Sequence, residues 1–458
     1  MKIPAPFRRP VSSLGLLDRF RHPAQAVVGG FGVAVGAGTG LLALPAATAS
    51  GESTGWLTAL FTATSAVCVT GLVTVDTGTH WSLFGQLVIL GLAQAGGLGI
   101  MTLATLLALL VSGRLGLRAR LLAQTETKTL HGADVRRVVR NVVVFSLVTE
   151  AVLAAVLALR FALGHGHDPV RAAYLGVFHA ISAFNNAGFA LWSDSLTRFA
   201  TDPWICLPVT AAVIVGGLGF PVVFELAAHW RRPRRWSVLT RITVGVTATL
   251  LAAGATTLTL LEWNNPATLG ALPERSRLLA GWFAGVMPRS GGFNSVDIAQ
   301  MRPESLLFSD LLMFIGGGSA GTAGGIKVTT FGLLAFVMWA ELRGEDRVNV
   351  GHRRLAGPVQ RQALTIALAG VGLVATGTFT LLALVPHSLD QVLFEVVSAF
   401  GTVGLSAGIT AGLPPAAQLV IIVLMFTGRL GPLTLFSALA LRERTRRYEL
   451  PEERPIVG

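Results

Sequence analysis

Residues 400–406 read Phe-Gly-Thr-Val-Gly-Leu-Ser, a turn bracketed by glycines between two apolar segments. Gly401, Gly404 and Gly408 permit a backbone with φ > 0 and close approach of another atom. Thr402, Val403, Gly404 and Leu405 in such a turn can present a row of carbonyl oxygens to a cation. Alone, a Thr-Val-Gly tripeptide is an ordinary loop. The reading turns on whether the chain repeats it.

It does so inside a membrane-type composition. Of 458 residues, 52% are hydrophobic and 13% charged, against about 25% charged in a soluble domain, and mean hydropathy is +0.63. Long apolar runs recur along the whole chain, which specifies a polytopic membrane protein. The N-terminal stretch carries Lys2, Arg8, Arg9, Arg19 and Arg21 without a short apolar core and small-residue cleavage site, so it reads as a cytosolic tail. Cys68 and Cys206 are too few for a disulfide framework or a metal site. The nine histidines show no ligand spacing, and no nucleophile–base pair stands out, so the chain does not read as an enzyme.

Outward from residues 400–406, the same succession appears four times: a long apolar run, a shorter one, a glycine turn and a second long run. The long-short-long runs lie at about 24–47, 57–67 and 81–111, then 138–163, 172–184 and 204–228. The third round has 242–261, 278–286 and 306–340, and the fourth 363–385, 392–400 and 416–441. The turn glycines are Gly71, Gly188, Gly292 and Gly404, spaced 117, 104 and 112 residues apart, a regular internal period. The domain reading is a tail at 1–23, repeats at 24–113, 138–229, 242–341 and 362–441, connecting loops at 114–137, 230–241 and 342–361, and a tail at 442–458.

The short runs are too short for the roughly 20 residues a spanning helix needs. They read as re-entrant half-helices, and irregular backbone at that depth survives only where it is buried in protein or lines a water-filled cavity. The expected fold is all-α: eight full spans and four re-entrant segments in pseudo-fourfold order around one pore. Of the 36 Lys and Arg, only Arg160, Arg171, Arg198, Arg275, Arg277, Arg289 and Arg302 fall on the outer face, with Lys327 and Arg429 at membrane depth. The remainder collect with both termini on the other face, which the positive-inside rule makes the cytosol. The net charge of +12 is thereby assigned to topology and not to nucleic-acid binding.

Each inner run carries glycines 25 to 29 residues beyond its turn: Gly96-Gly97-Leu98-Gly99, Gly216-Gly217-Leu218-Gly219, Gly316-Gly317-Gly318 and Gly428-Arg429-Leu430-Gly431. In residues 316–327, GGGSAGTAGGIK, nine of twelve are Gly, Ser or Ala. Each glycine costs a helix about 1 kcal/mol relative to Ala, so the third inner helix is expected to break into a flexible loop below the turns. It is not a phosphate-binding loop, because Ile326 separates Gly325 from Lys327. The expected gate comprises Gly316, Gly317, Gly318, Ser319, Gly321, Thr322, Gly324, Gly325 and Lys327, with Arg429 as an electrostatic barrier. Lys327 either belongs to the gate or snorkels toward the cytosol. Arg429 sits where other inner helices have small residues, a costly position unless the charge faces protein or water. Asn185, Asn186 and Asn294 are candidate buttresses of the turns. Asp76, Asp194, Asp297, Asp390 and Glu395 are candidate carboxylates of an outer mouth.

The stretches VCVTGLVTVD (67–76), FNNAGF (184–189), PRSGGFN (288–294) and FGTVGLS (400–406) resemble the four filter segments of the Trk/Ktr/HKT superfamily of potassium transporters. MFIGGGSAGTAGGIKVTTF (313–331) is similar to that family's intramembrane gating loop, and MFTGRLGPLTL (425–435) to its last pore-lining helix. The first outer helix is expected to follow almost directly on the N-terminal tail, without an extra hairpin, which resembles the KtrB branch more than the TrkH branch. The resemblance implies a homodimer in the bacterial cytoplasmic membrane, surrounded by lipid. It implies K⁺ as the transported ion, Na⁺ as a coupling or activating ion, and nucleotide only on a cytosolic RCK/KTN-type ring like KtrA or TrkA. It places ions at Val69, Thr70, Gly71, Asn186, Ala187, Gly188, Gly291, Gly292, Thr402, Val403 and Gly404. Glycine at position 71, where sodium-favouring relatives carry serine, implies K⁺ permeation. The third segment departs from the family's Thr-Ala-Gly-Phe by reading Ser290-Gly291-Gly292-Phe293. The competing reading is an alternating-access secondary transporter for another cation or small solute, which would show two inverted halves.

Overall fold

The computed structural model describes residues 23–113, 132–345, 347–350 and 353–431. The expected tails, most of the 114–137 loop and the end of the last inner run at 432–441 lie outside the described residues.

The described chain is helical, in four rounds of outer, short and inner helix. The outer helices are Pro23–Leu42, Gly132–His165, Val238–Glu262 and Gly357–Leu384. The short helices are Trp56–Val67, Pro169–Phe184, Glu274–Val286 and Leu389–Gly401. The inner segments are Leu83–Gly113, Pro203–Leu218 with Phe220–His229, Pro303–Phe314 with Val328–Leu342, and Pro415–Leu430. Three described helices are long and apolar enough to cross a membrane, four if the bent pair of round two counts as one span.

Local chemistry sets the starts of these elements. Asp168 accepts from the amides of Val170 and Arg171, with Pro169 in the first turn of the second short helix. Asp202 caps the second inner helix by accepting from Trp204 N at 3.0 Å, again ahead of a proline. Such oxygens satisfy orphan helix N–H groups, and proline at N1 costs no hydrogen bond.

The packing is cyclic. Each outer helix packs on the short helix of its own round, and each inner segment packs on the short helix of the following round. The fourth inner helix returns to the first short helix and closes the circle. Phenylalanines of the short helices, Phe61, Phe178, Phe184, Phe283, Phe394 and Phe400, are fully buried between the helices. Large apolar side chains of the outer helices, such as Val144, Leu147, Leu368 and Phe379, stay exposed, the surface expected of helices facing hydrocarbon.

Two expectations need correction. The run at 204–228 is not one helix: it bends by 102° at Gly219. Pro221 cannot supply the N–H that would continue the ladder, and Gly219 takes φ 87° at the corner. Between rounds three and four Asn349–Val350 pairs antiparallel with Arg353–Arg354, two residues a side, in an otherwise helical fold. Arg289, assigned from its place in the chain to the outer face, is buried at 6% exposure and reaches the loop at 316–327.

Candidate functional site: a ring of four turns above a glycine loop

Each short helix ends immediately before a glycine turn, and the four turns share a backbone shape. Gly71, Gly188, Gly292 and Gly404 all have positive φ, at 92°, 68°, 76° and 93°. Two residues earlier, Val69, Asn186, Ser290 and Thr402 are also left-handed, at 55°, 59°, 69° and 47°. Non-glycine residues there cost on the order of 1–3 kcal/mol each, and a β-branched Val or Thr is the least suited. Only two other described non-glycine residues, Ser195 and Ala320, have positive φ. The conformation is therefore concentrated at the turns, imposed by the packing around them.

The turns touch in cyclic order. A Cβ placed on Gly71 would lie 2.5 Å from Ala187 O and 3.0 Å from Gly188 Cα. One on Gly188 would lie 2.8 Å from Gly292 Cα, and one on Gly292 would lie 2.6 Å from both Gly188 Cα and Val403 O. One on Gly404 would overlap Thr70 O. Glycine is required here twice over, by φ and by the neighbouring backbone. The residues Val69, Thr70, Asn186, Ala187, Thr402 and Val403 are buried completely. Four helix C-termini, each carrying about half a negative charge, converge on this ring, an environment that favours a cation.

Above the ring lies a cavity of about 230 Å³ with all four glycines in its lining, room for several waters at roughly 30 Å³ each. Asp76, Asp297 and Asn294 line it as well. The other expected mouth carboxylates do not. Asp194 pairs with Arg198 at 2.6 Å, Asp390 is absent from the lining, and Glu395 is buried completely, accepting from Ser406 and Thr410. Glu395 thus ties the chain after the fourth turn to its short helix.

Below the ring, residues 315–327 fold back between the two halves of the third inner segment. Gly316 N donates to Ile326 O at 2.7 Å and Val328 N to Gly317 O at 3.0 Å. The bend at Gly219 leaves the carbonyls of Gly216 and Gly217 available, and they accept from Thr322 N (3.1 Å) and Gly318 N (2.7 Å). Thr322 Oγ1 donates to Asn186 Oδ1 at 3.0 Å, joining the loop to the second turn.

Three cations hold this loop through its carbonyls. Arg289 Nη2 donates to Gly316 O at 2.9 Å, Lys327 Nζ to Ala323 O, and Arg429 Nη1 to Thr322 O. Arg429 Nη2 also donates to Gly96 O at 3.0 Å on the first inner helix. No carboxylate pairs with any of the three among the described residues. Lys327 is half-buried and turned back onto its own loop, and Arg429 is 3% exposed. Gly316, Gly317, Gly318, Gly321, Thr322 and Gly324 are buried, while Ser319, Gly325 and Lys327 are half-buried.

Sequence reasoning passed over two supports of the turns. The first is a serine six residues before the turn glycine in three rounds. Ser65 Oγ accepts from Gly71 N (3.0 Å) and Ser398 Oγ from Gly404 N (3.1 Å), while Ser182 Oγ donates to Phe189 O (2.8 Å). The signal was present as TSAVCVTG, ISAFNNAG and VSAFGTVG, once the rounds are aligned on their glycines. The second is the set of partners of Asn185, itself an expected buttress, in a buried polar cluster. Asn185 Nδ2 donates to Gln94 Oε1 (2.7 Å) and Glu150 Oε1 (3.0 Å), and Gln94 Nε2 also donates to Glu150 (3.0 Å). A lone glutamate in an outer helix gave no pattern to find it by.

Residues 15–444 match the family model described as TrkH, cation transport protein. The chain is 41% identical over 423 residues to Ktr system potassium uptake protein B of Bacillus subtilis, covering 92% of this chain and 94% of the relative. It is 36% identical over 442 residues to potassium/sodium uptake protein NtpJ of Enterococcus hirae, covering 95% and 97%. In fold it is similar to the crystal structure of the potassium transporter TrkH from Vibrio parahaemolyticus, with a TM-score of 0.75 at 19% identity, covering 95% of this chain and 87% of that one.

Proposed function

The chain belongs to the TrkH family of cation transport proteins, and on that premise we propose that it takes up K⁺ across a bacterial cytoplasmic membrane through one fourfold pseudosymmetric pore. Eight spans carry four re-entrant short helices, and both termini are cytosolic. The observation that carries this reading is the closed ring of four backbone turns beneath a cavity lined by their glycines. Carbonyls of residues 69–71, 186–188, 291–292 and 402–404 replace the hydration shell of the ion. Its relatives, a potassium uptake protein and a potassium/sodium uptake protein, support the ion class.

The loop at 316–327 is the gate and Arg429 its electrostatic latch. At an effective dielectric of about 20, two like unit charges about 4 Å apart repel by about 4 kcal/mol, roughly a thousandfold in occupancy. A cation leaving the ring inward meets this repulsion until the loop and Arg429 move together. We place Na⁺ as a coupling or activating ion, a second copy of the chain as a dimer partner, and a cytosolic nucleotide-binding RCK/KTN-type ring as the element that moves the gate. The term "Ktr system" in the relative's name supports an assembly of more than one component.

Growth rescue of a potassium-uptake-deficient bacterium at low K⁺, with and without Na⁺ and with candidate regulatory subunits, tests the reading. Rescue is expected. A protein that reaches the membrane yet rescues growth with none of these partners would count against it. Arg429→Ala is expected to raise cation flux, and unchanged uptake kinetics would remove its barrier role. Gly71→Ser is expected to admit more Na⁺, measured as the ratio of initial K⁺ and Na⁺ uptake rates.

A further inference from the structure

The third turn is supported unlike the other three. Where the others have Ser65, Ser182 and Ser398, it has Val286, which carries no hydroxyl. In the other rounds the amide before the turn glycine bonds five residues back: Thr70 N to Ser65 O, Ala187 N to Ser182 O and Val403 N to Ser398 O. In the third round Gly291 N bonds four back, to Met287 O. The inner-helix seat is missing too. Gly96, Gly216 and Gly428 each lie so close to the carbonyl at the end of their own round's short helix, that of Val67, Phe184 or Phe400, that a Cβ would overlap it. The third inner helix has already ended at Phe314, and Gly316 faces Gly324 O of its own loop instead.

The loop supplies what is missing. Ser290 Oγ accepts from Gly324 N at 3.4 Å and donates to Thr402 O of the next turn at 2.8 Å. Arg289, the adjacent residue, donates to Gly316 O at the loop's other end. It is buried to 94%, and its Nε and Nη1 find no partner among the described residues. The third turn is thus clamped to both ends of residues 316–324 by two consecutive side chains.

We propose that Ser290 and Arg289 are positioning residues that couple ion discrimination to the gate. With the loop seated, Ser290 and Arg289 hold the third turn in register with the fourth. When the loop leaves to let an ion pass, the third turn loses its bonds to Gly316 and Gly324 and has no serine at position 286 to fall back on. The second turn loses its link to Thr322 but keeps Ser182, and the first and fourth keep Ser65 and Ser398. Selectivity therefore depends on gate state, and varies chiefly through the third quarter of the ring. This rests on the reading of the turns as the filter and of the loop as the gate.

The test measures initial K⁺ and Na⁺ uptake rates by the full-length protein in cells lacking other K⁺ uptake. Ser290→Ala is expected to lower the K⁺/Na⁺ rate ratio about fivefold, the equivalent of one net hydrogen bond, and Arg289→Gln to lower it in the same direction. Val286→Ser installs the hydroxyl that the other rounds carry and is expected to return the ratio of Ser290→Ala toward the parent. Val286→Thr does the same with the branched shape kept. In Arg429→Ala, flux rises and the ratio falls, and adding Val286→Ser restores the ratio while flux stays high. A merely structural role would move flux and ratio together.

An unchanged ratio in Ser290→Ala overturns the coupling, as does a lowered ratio that neither Val286 variant restores. Gly71→Ser separates the two levels. If it shifts the ratio and Ser290→Ala does not, only the coupling fails. If it leaves the ratio unaltered, the filter reading fails and the coupling with it.

Discussion

Residues 96–99 and 216–219 are the same tetrapeptide, Gly-Gly-Leu-Gly, and they end in different structures. The first lies inside one helix that runs on to Gly113. The second stops its helix at Leu218 and turns it by 102°. The difference lies two residues further on, where the first copy is followed by Ile100-Met101 and the second by Phe220-Pro221. Without an N–H at Pro221, Gly217 O has no helical partner, and the loop's Gly318 N takes it. In the fourth round Gly431, with Pro432 next to it where round two has its proline one residue later, has φ 83° and ψ 139°, against 87° and 138° at Gly219. Glycine permits the corner and proline makes it. What the copies share is the first glycine, seated on the carbonyl end of a short helix.

That comparison can be broken or sharpened by substitution. The largest effect is expected where the copies agree. Gly96→Ala and Gly216→Ala both press a methyl on a backbone carbonyl, and overpacking of about 1–3 kcal/mol beside the turns should cut K⁺ uptake at least tenfold in the growth assay. Uptake preserved in either one would dissolve the equivalence of the rounds. Pro221→Met comes next. It returns an N–H that competes for Gly217 O, and one hydrogen bond of about 1 kcal/mol should speed amide hydrogen exchange in residues 316–327 about fivefold. Unaltered exchange there would show that the corner does not anchor the loop.

Smaller again is the contrast at the last glycine of each copy. Gly219→Ala forces a Cβ into positive-φ backbone, costing about 1–2 kcal/mol, and sets it in overlap with Ser319 O of the loop, so it should lower the melting temperature of the detergent-solubilised protein by at least a few degrees. Gly99→Ala has nothing within 4 Å of the added Cβ among the described residues and gains helix propensity of up to about 1 kcal/mol, so uptake and melting should match or slightly exceed the parent. Equal behaviour of the two substitutions would mean that neither φ at Gly219 nor its contact with Ser319 O is a constraint.

Much of the site was legible before any coordinates. Short apolar runs marked the short helices to within a few residues, and their glycines marked the positive-φ corners. The density of glycine at 316–327 marked the break in the third inner segment. Less legible was which round departs from the rest. Sequence points to the fourth, because Arg429 interrupts its glycines, whereas the geometry singles out the third, whose turn lacks the serine and the inner-helix seat. Arg289 was placed on the outer face because it follows a short helix on that side of the chain. The helix end it follows lies deep in the fold, and the side chain continues inward to the loop. Glu395 read as a surface carboxylate because its hydroxyl partners, Ser406 and Thr410, lie beyond the turn.

By itself the sequence determined the membrane class, the four rounds, the short helices and the places where helix must fail. These follow from run length, glycine content and charge, all local quantities that the chain carries wherever it goes. Only the tertiary structure decided the cyclic order, the left-handed residue two places before each glycine, the freeing of Gly216 and Gly217 for the loop, and the destinations of Arg289 and Arg429. Those depend on backbone brought together across hundreds of residues, as when Gly404 meets Thr70. A buried cation settles on whichever carbonyls lie within reach, and no local pattern names them in advance.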